Sequence, residues 1–433
     1  MEAKDTIQMK RLLYMMLLVL LPWFSLSCEK GNYASESEVR LEFSADTVAF
    51  DTLFTTLGST TRYVKVYNRS GKDVLIGNIT LAGGSGSRFR LNVDGDTSMV
   101  ARNVEILAGD SIFIFIQANL RADTTHAPFI VEDAVLFSNG QRLPVSAWGR
   151  NAVFHRLKPS DTTWYSVIDC ANWDHSRPHV IIGAAAVLDG NTLTLTPGDQ
   201  LYFANDAMLV FDTNARILAI GSDAQPILFT SLRHDGWYSF LPGQWQCLWF
   251  TGGSTGNIID HAVVENGTGG LRAYPGSSFS VSNTVIRNMS DCALIGQGGA
   301  ISASNLLIYD CLGSLAVLQG GTYNFSHCTF ADYWTYSSRQ QESVLLANYL
   351  ADRNGNNLAA DLQALFSDCI IWGSRQSEML IASDGEHLDS VSLTRCWVKG
   401  IDADDPQFID PADDNYRLQD ASPAAGKGYQ FPD

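Results

Sequence analysis

The sequence predicts an all-β protein in two parts, a β-sandwich followed by a β-solenoid, and three observations carry that prediction. A short phrase recurs: Asp260-His261-Ala262-Val263-Val264, Ser282-Asn283-Thr284-Val285-Ile286, Ser304-Asn305-Leu306-Leu307-Ile308 and Ser326-His327-Cys328-Thr329-Phe330 follow one another every 22 residues. A fixed period in the low twenties, with one strand-like segment per repeat and no helical spacing, is what stacked solenoid coils produce. Upstream, residues 39–151 carry about seven alternating, strand-like segments separated by turn clusters. The composition agrees: 36 glycines and only 17% charged residues mark a turn-rich chain, and 433 residues suffice for two or three domains and a sizeable core.

The chain opens on a targeting segment, residues 1–27. Lys10 and Arg11 precede an apolar run over residues 12–21, too short for a transmembrane helix, and Ser25-Leu26-Ser27 leads into Cys28. The segment resembles a bacterial lipoprotein signal. That resemblance implies cleavage before Cys28, acylation of Cys28 and a lipid anchor to a membrane, most simply the outer membrane, with the protein facing the periplasm or the cell surface. Ser25 stands where that motif usually has Leu, so an ordinary secretory signal is the alternative. Residues 28–38 are polar and read as a tether. A net charge of −17 excludes long-range attraction to nucleic acid or to an anionic membrane face. Seven cysteines remain beyond Cys28, an odd number, so at least one thiol stays unpaired within the chain even in an oxidising compartment. No pair has CxxC spacing, which argues against zinc.

In residues 39–151, Tyr63-Val64-Lys65-Val66-Tyr67 alternates, residues 112–116 form a continuous apolar strand, and Asn139-Gly140 is a hairpin signal between two apolar runs. This cadence resembles immunoglobulin-like (Ig-like) modules that precede β-helices in bacterial surface lipoproteins. Residues 152–190, with Pro159 and Pro178, read as a connector. From residue 191, apolar pairs resume at Leu193 and Leu195, Leu201 and Phe203, Leu209 and Phe211, and Ile227 and Phe229. Pro197-Gly198, the stretch 224–231, and Pro242-Gly243-Gln244-Trp245 followed by Leu248-Trp249-Phe250 are similar to the first coils of pectate-lyase-like proteins. With the repeats, this resemblance covers residues 190–335 and implies a right-handed parallel β-helix over 191–400, of about ten coils. Asp368-Cys369-Ile370-Ile371 and Arg395-Cys396-Trp397-Val398 continue the phrase after intervals of 41 and 27 residues, the loop near 353–357 being an insertion. Two columns form the expected core: Val264, Ile286, Ile308, Phe330, Ile371 and Val398, and Ile259, Val281, Ala303, Phe325, Phe366 and Leu393. Residues 401–433, with Asp405-Pro406-Gln407-Phe408, are similar to the C-terminal cap of bacterial β-helix proteins, which implies a seal over the last coil.

Several constellations are candidates for chemistry, each with a plainer explanation. His261, Asn283, Asn305, His327, Asp368 and Arg395 could form a metal or proton-relay column, but short polar residues at one bend of every coil more simply bond the backbone of that bend. Cys328, Cys369 and Cys396 share the next column, where small semi-apolar side chains stack. Asp310 and Asp332, again 22 apart, would stack about one strand spacing apart, close to the roughly 5 Å of a retaining glycosidase, or could share Ca²⁺. Asn266 and Asn288 precede them in the column and argue for turn formers. With no lysine between Lys158 and Lys399, Arg287 is the candidate base for a polysaccharide lyase. Asp404, Asp405 and Asp410 could hold Ca²⁺ or belong to a solvated loop. Tyr333, Trp334, Tyr336 and Trp372, with Arg339 and Arg375, could line a sugar-stacking face or pack beneath the long loop. No nucleophile motif, phosphate loop or HExxH occurs, and no cofactor is expected apart from Ca²⁺ at those acidic residues. The expected function is that of an envelope lipoprotein whose β-helix binds or scaffolds a surface ligand, a polysaccharide first of all, without catalysis. A β-helix lyase or glycoside hydrolase is one alternative, and a protein-binding adhesin is another. Fold analogy alone links such solenoids to polysaccharides.

Overall fold

The computed structural model describes residues 33–122, 128–233, 236–351, 357–383 and 389–432. The targeting segment, Cys28 and most of the 353–357 insertion lie outside them. The chain divides into two compact units, Met1–Arg150 and Asn151–Asp433. Among the described residues no helix is long and apolar enough to cross a membrane.

The first unit is two sheets around one core. A six-stranded sheet runs in the order Tyr33–Ala34, Asp73–Leu81, Phe129–Phe137, Arg142–Arg150, Val48–Phe54, with Val100–Ile106 also on Asp73–Leu81. A four-stranded sheet runs Glu42–Phe43, Arg62–Tyr67, Ser111–Ala118, Phe89–Val93. That is ten strands among the described residues, where the turn clusters suggested about seven. Asn139-Gly140 makes the expected hairpin: Gly140 adopts φ +84° and Phe129–Phe137 pairs antiparallel with Arg142–Arg150. The apolar run 112–116 alternates after all: Ile112, Ile114 and Ile116 enter the core, while Phe113 and Phe115 stack on each other outside it. Of the expected tether, residues 28–38, the described part from residue 33 belongs to the sandwich. Tyr33–Ala34 pairs parallel with Asp73 and Val74, and Glu36 accepts a hydrogen bond from the Gly77 amide at 3.0 Å, so a polar stretch is tied down by sheet bonds.

The second unit is a stack of coils whose strands pair parallel from coil to coil, an arrangement consistent with a β-helix. Each full coil has three faces. The first face climbs through Thr192–Leu195, Arg216–Ile220, Asn257–Asp260, the leading halves of Ser278–Met289 and Ala300–Cys311, Gly321–Ser326, Leu362–Ser367 and Asp389–Thr394. The second climbs through Val153–Arg156, His179–Ile182, Gln200–Phe203, Ile227–Ser231, Ala262–Glu265, the trailing halves of the two long strands, Thr329–Asp332, Ile370–Gly373 and Trp397–Val398. The third is a nine-stranded sheet from Tyr165–Val167 to Met379–Ala382. Both predicted columns line the interior; Leu393, in the last coil, is only partly buried.

Two expectations about the ends need correction. Residues 152–190 are not a connector but the first coils: Val153–Arg156, Tyr165–Val167, His179–Ile182 and Ala184–Val187 all pair within the solenoid sheets. Strands of three or four residues, flanked by proline, show too little alternation to read as strands in sequence. Residues 405–432 do not lie over the last coil as a seal. They lie along the outside of the second face, where Phe408, Tyr416, Leu418, Tyr429 and Phe431 form a separate core with Leu307, Tyr309, Ile370 and Trp372.

Candidate functional site

Two columns of bends fix the outer surface of the second face. At its start, His261, Asn283, Asn305, His327, Asp368 and Arg395 all hold φ between +47° and +53°. This left-handed conformation costs an ordinary side chain about 1–2 kcal/mol and is eased for Asn and Asp. The column is therefore a turn ladder, though its side chains bond one another more than the backbone. Asn305 Nδ2 donates to Asn283 Oδ1 at 2.9 Å, Asn283 Nδ2 to Asp260 Oδ1 at 2.8 Å, and Arg395 pairs with Asp368. At the end of the face, Asn266, Asn288 and Asp310 hold φ +66°, +56° and +52°, and Asn288 Nδ2 donates to Asn266 Oδ1 at 2.7 Å. Asp310 is thus a turn former at its own bend.

The coil of Thr329–Asp332 breaks this column, and with it the expected carboxylate stack. Asp332 turns inward and is fully buried, its Oδ2 lying 2.8 Å from Arg339 Nε but misaligned for a hydrogen bond. Arg339 grips Glu378 instead, Nη1 to Oε1 at 3.0 Å and Nη2 to Oε2 at 2.9 Å. Glu378 also accepts from the Ser343 hydroxyl at 2.6 Å and from the Arg375 amide at 2.8 Å. Burial pushes the Asp332 carboxyl up to about 8, whereas Arg339 and Ser343 outweigh desolvation and hold Glu378 below its usual range. Asp332, Arg339 and Glu378 are an internal staple for the loop that follows Asp332, with Arg375 bonded to Arg339 O and Glu342 at its edge. They do not meet Asp310 in an open groove.

Asp310 faces outward, and its neighbours make the candidate site. Its carboxyl hydrogen-bonds with that of Asp414 and accepts from Tyr416 Oη at 3.4 Å. Desolvation first, then the Asp414 charge, push Asp310 up to about 7. Alongside, Arg287 donates to Glu265 at 2.9 Å and to Tyr309 Oη at 2.8 Å. Tyr309 and Glu265 outweigh desolvation and keep Arg287 charged, so it is no base for a lyase.

Of the aromatic residues expected to hold sugars, most are packing. Trp372 is 3% and Trp334 8% exposed, and Tyr333 packs against Phe408 and Tyr416. Only Tyr336 is open, at 52%. Sequence reasoning passed over its partners. The insertion after Ser231 holds a turn, Gly236–Phe240, that presents Trp237 and Phe240, each 69% exposed. Asn288 Nδ2 donates to Phe240 O at 2.8 Å, Asn266 Nδ2 to Ser239 O at 3.1 Å, and Tyr336 Oη to Phe240 O at 3.2 Å. The bend column thus pins the turn beside Tyr336, whose hydroxyl is pushed up by desolvation and by the nearby Asp310 and Asp414. Three aromatic residues within four positions, Trp237-Tyr238-Ser239-Phe240, were the signal available in the sequence.

Two further surfaces lack a convergent site. The outside of the first face is an open groove of about 640 Å³ lined by hydroxyls such as Ser280, Ser302, Ser304 and Ser392, without aromatic or charged convergence beyond Arg395 at its rim. The acidic residues near the end of the chain do not converge as a calcium site: Asp405 caps the Gln407 amide, Asp404 offers its carbonyl to Trp397, and Asp410 sits apart on its own strand. Among the described residues no group of three or more potential ligands could hold a metal ion.

The chain matches no family model, and it matches no curated protein. Solved structures give slight likenesses. The ASH/PapD-like domain of human CEP192 is 14% identical over 29% of this chain and 94% of its own, with a TM-score of 0.18. The catalytic domain of a GH87 alpha-1,3-glucanase in complex with nigerose is 13% identical over 78% of this chain and 81% of its own, with a TM-score of 0.20. The catalytic unit of a thermostable GH87 alpha-1,3-glucanase from Streptomyces thermodiastaticus is 10% identical over 76% and 78%, with a TM-score of 0.26. Likeness at this level bears on neither fold nor chemistry.

Proposed function

We propose that the protein is an exported bacterial envelope lipoprotein, anchored through Cys28 to the outer membrane, in which an Ig-like sandwich carries a right-handed parallel β-helix that binds a polysaccharide. The observation that carries the binding reading is the patch of Trp237, Phe240 and Tyr336, exposed and pinned beside Asn288 and the Asp310–Asp414 pair. Sugar rings lay their C–H faces on aromatic rings and need fixed donors and acceptors for their hydroxyls. A turn already held through the Ser239 and Phe240 carbonyls gives up little further backbone freedom when a ligand settles on it.

A second reading, glycoside hydrolysis, has one observation in its favour: Asp310, with its raised pKa, beside a second carboxylate resembles an acid and base pair. Against it stands their direct hydrogen bond, closer than the roughly 5–9.5 Å that glycosidases place between their carboxyl groups. Binding without turnover is the better reading. A glycan array probed with the chain from Glu29, with and without Ca²⁺, and scored for new reducing ends or unsaturated products, tests both. Binding that falls at least tenfold in Trp237→Ala and Tyr336→Ala supports the proposal, and binding untouched by both removes it. Products lost in Asp310→Asn would establish the hydrolase.

A further inference from the structure

In the last three coils the residue after the first bend is a cysteine. Ser326 is in register with Ser367 and Ser367 with Thr394, while Thr329, Ile370 and Trp397 form the next rungs, so Cys328, Cys369 and Cys396 stand directly over one another. The backbone bonds agree: the Ile370 amide donates to Cys328 O at 2.9 Å and the Trp397 amide to Cys369 O at 2.8 Å. Adjacent rungs lie about 4.8 Å apart, inside the roughly 4.4–6.8 Å Cα separation that a disulfide spans. Each thiol donates to the carbonyl two residues before it, Cys328 to Ser326 O at 3.3 Å, Cys369 to Ser367 O at 3.3 Å and Cys396 to Thr394 O at 3.5 Å, so the three sulfurs point the same way, and all three are free. In the coils below, the same position holds Ala262, Thr284 and Leu306, so the column of sulfur begins where the regular repeat ends.

The two candidate pairs differ in access and in value. Cys328 and Cys369 are fully buried, whereas Cys396 is only partly so. The terminal coil is an open end of the stack. Its inward side chains Met379, Val391 and Leu393 are only partly buried, and among the described residues Met379–Ala382 and Asp389–Thr394 each pair with a neighbour on one side only.

We propose that Cys369 and Cys396 are a disulfide site that closes when the protein meets a disulfide-bearing oxidant, fastening the terminal coil to the stack. The Cys396 sulfur, as thiolate, attacks the oxidant's S–S bond and releases one thiol. The Cys369 sulfur, losing its proton, then attacks the Cys396 sulfur and expels the second thiol. Two electrons and two protons pass to the oxidant, and one S–S bond forms. The neighbouring thiol first, and burial after it, pushes each of the two thiols up and holds it protonated, so closure is slow unless the oxidant is an enzyme or in excess. Cys328 remains reduced, because Cys369 can bond only one neighbour.

The test uses the full chain, incubated folded with oxidised glutathione, alkylated and digested with trypsin. The expected product joins Cys396-Trp397-Val398-Lys399 to the peptide that ends at Arg375, two hydrogens lighter than the sum. The unfolding midpoint should rise by about 5 °C and return with dithiothreitol. Cys328→Ser should keep the cross-link and Cys396→Ser should lose it. Alkylation of all seven thiols beyond Cys28 in the oxidised wild type would overturn the proposal. So would a glutathione adduct on Cys396 that never resolves, or a cross-link through Cys328.

Discussion

Asp310→Asn isolates the electrostatics of the candidate site, because the substitution leaves the backbone undisturbed. Asn266 and Asn288 already occupy the equivalent bends at φ +66° and +56°, so asparagine fits the +52° of position 310. Its amide can still face Asp414 and Tyr416. What disappears is a titration. The Asp310 carboxyl moves from an ordinary 3.8 to about 7, chiefly through desolvation and then through the Asp414 charge. As pH rises through that interval the unfolded chain gives up a proton that the native protein keeps. The native state then binds more protons, and stability falls with rising pH. About three units, at about 1.4 kcal/mol each, come to about 4 kcal/mol once the pH exceeds 7. Asp310→Asn should therefore match the wild type near pH 3.5 and exceed it by about 4 kcal/mol at pH 8. Urea titrations followed by tryptophan emission measure this directly, since eight of the ten tryptophans lie in residues 151–433. A difference between the two proteins that stays constant from pH 3.5 to 8 would refute the buried-pair account.

The opposite sign is expected at the first coils. His179 Nε2 lies 2.9 Å from Asp174 O and donates to it, so Nδ1 accepts from His155 Nε2 at 2.8 Å, and both rings, stacked with Trp173, are neutral. Burial pushes each down to about 4 from 6.5, so their stabilisation is whole above pH 6.5 and is lost as pH falls toward 4; His179→Phe should flatten that acid limb of the midpoint–pH curve. Arg339→Met strands the Glu378 carboxylate in the interior and should cost about 3–5 kcal/mol in urea, most of it recovered when Glu378→Leu is added. At Asn283, with φ +47°, glycine should be better tolerated than alanine by about 1 kcal/mol, the reverse of the order for an ordinary strand residue, as comparative urea midpoints would show.

What the sequence could disclose follows from what its patterns encode. The 22-residue phrase records one bend per coil, and the bends appear where Asn, Asp and His stand, because few other residues tolerate that backbone. Its apolar columns record the interior, and they line it. A repeat cannot record an exception to itself. Asp332 sits at the same spacing as Asp310 yet faces the other way, because the loop after it supplies Arg339, a partner 7 residues on that no column analysis joins to it. Trp334 and Trp372 look like a sugar platform in sequence, and only burial distinguishes them from Tyr336. The residues around Phe408 and Tyr416 show apolar content, but nothing local says whether they cover an end or a side. Trp237 and Phe240 were legible as an aromatic run; their attachment to Asn288, some 50 residues later, was not.

The lateral course of residues 405–432 changes how the stack can come apart. A plain solenoid couples each coil only to its neighbours, so it unzips from its ends one coil at a time. Here the Gly428 amide bonds Asp368 O at 2.7 Å, the Tyr429 amide bonds Thr329 Oγ1 at 2.8 Å, and the Gln430 amide bonds Asn305 Oδ1 at 2.5 Å. Three successive residues thus clasp three successive coils, from 60 to 125 residues upstream. Fraying at the terminal coil must loosen this clasp before it can spread, and folding of that edge waits until residue 430 has been made. The segment turns a row of dominoes into a bundle with a strap around it.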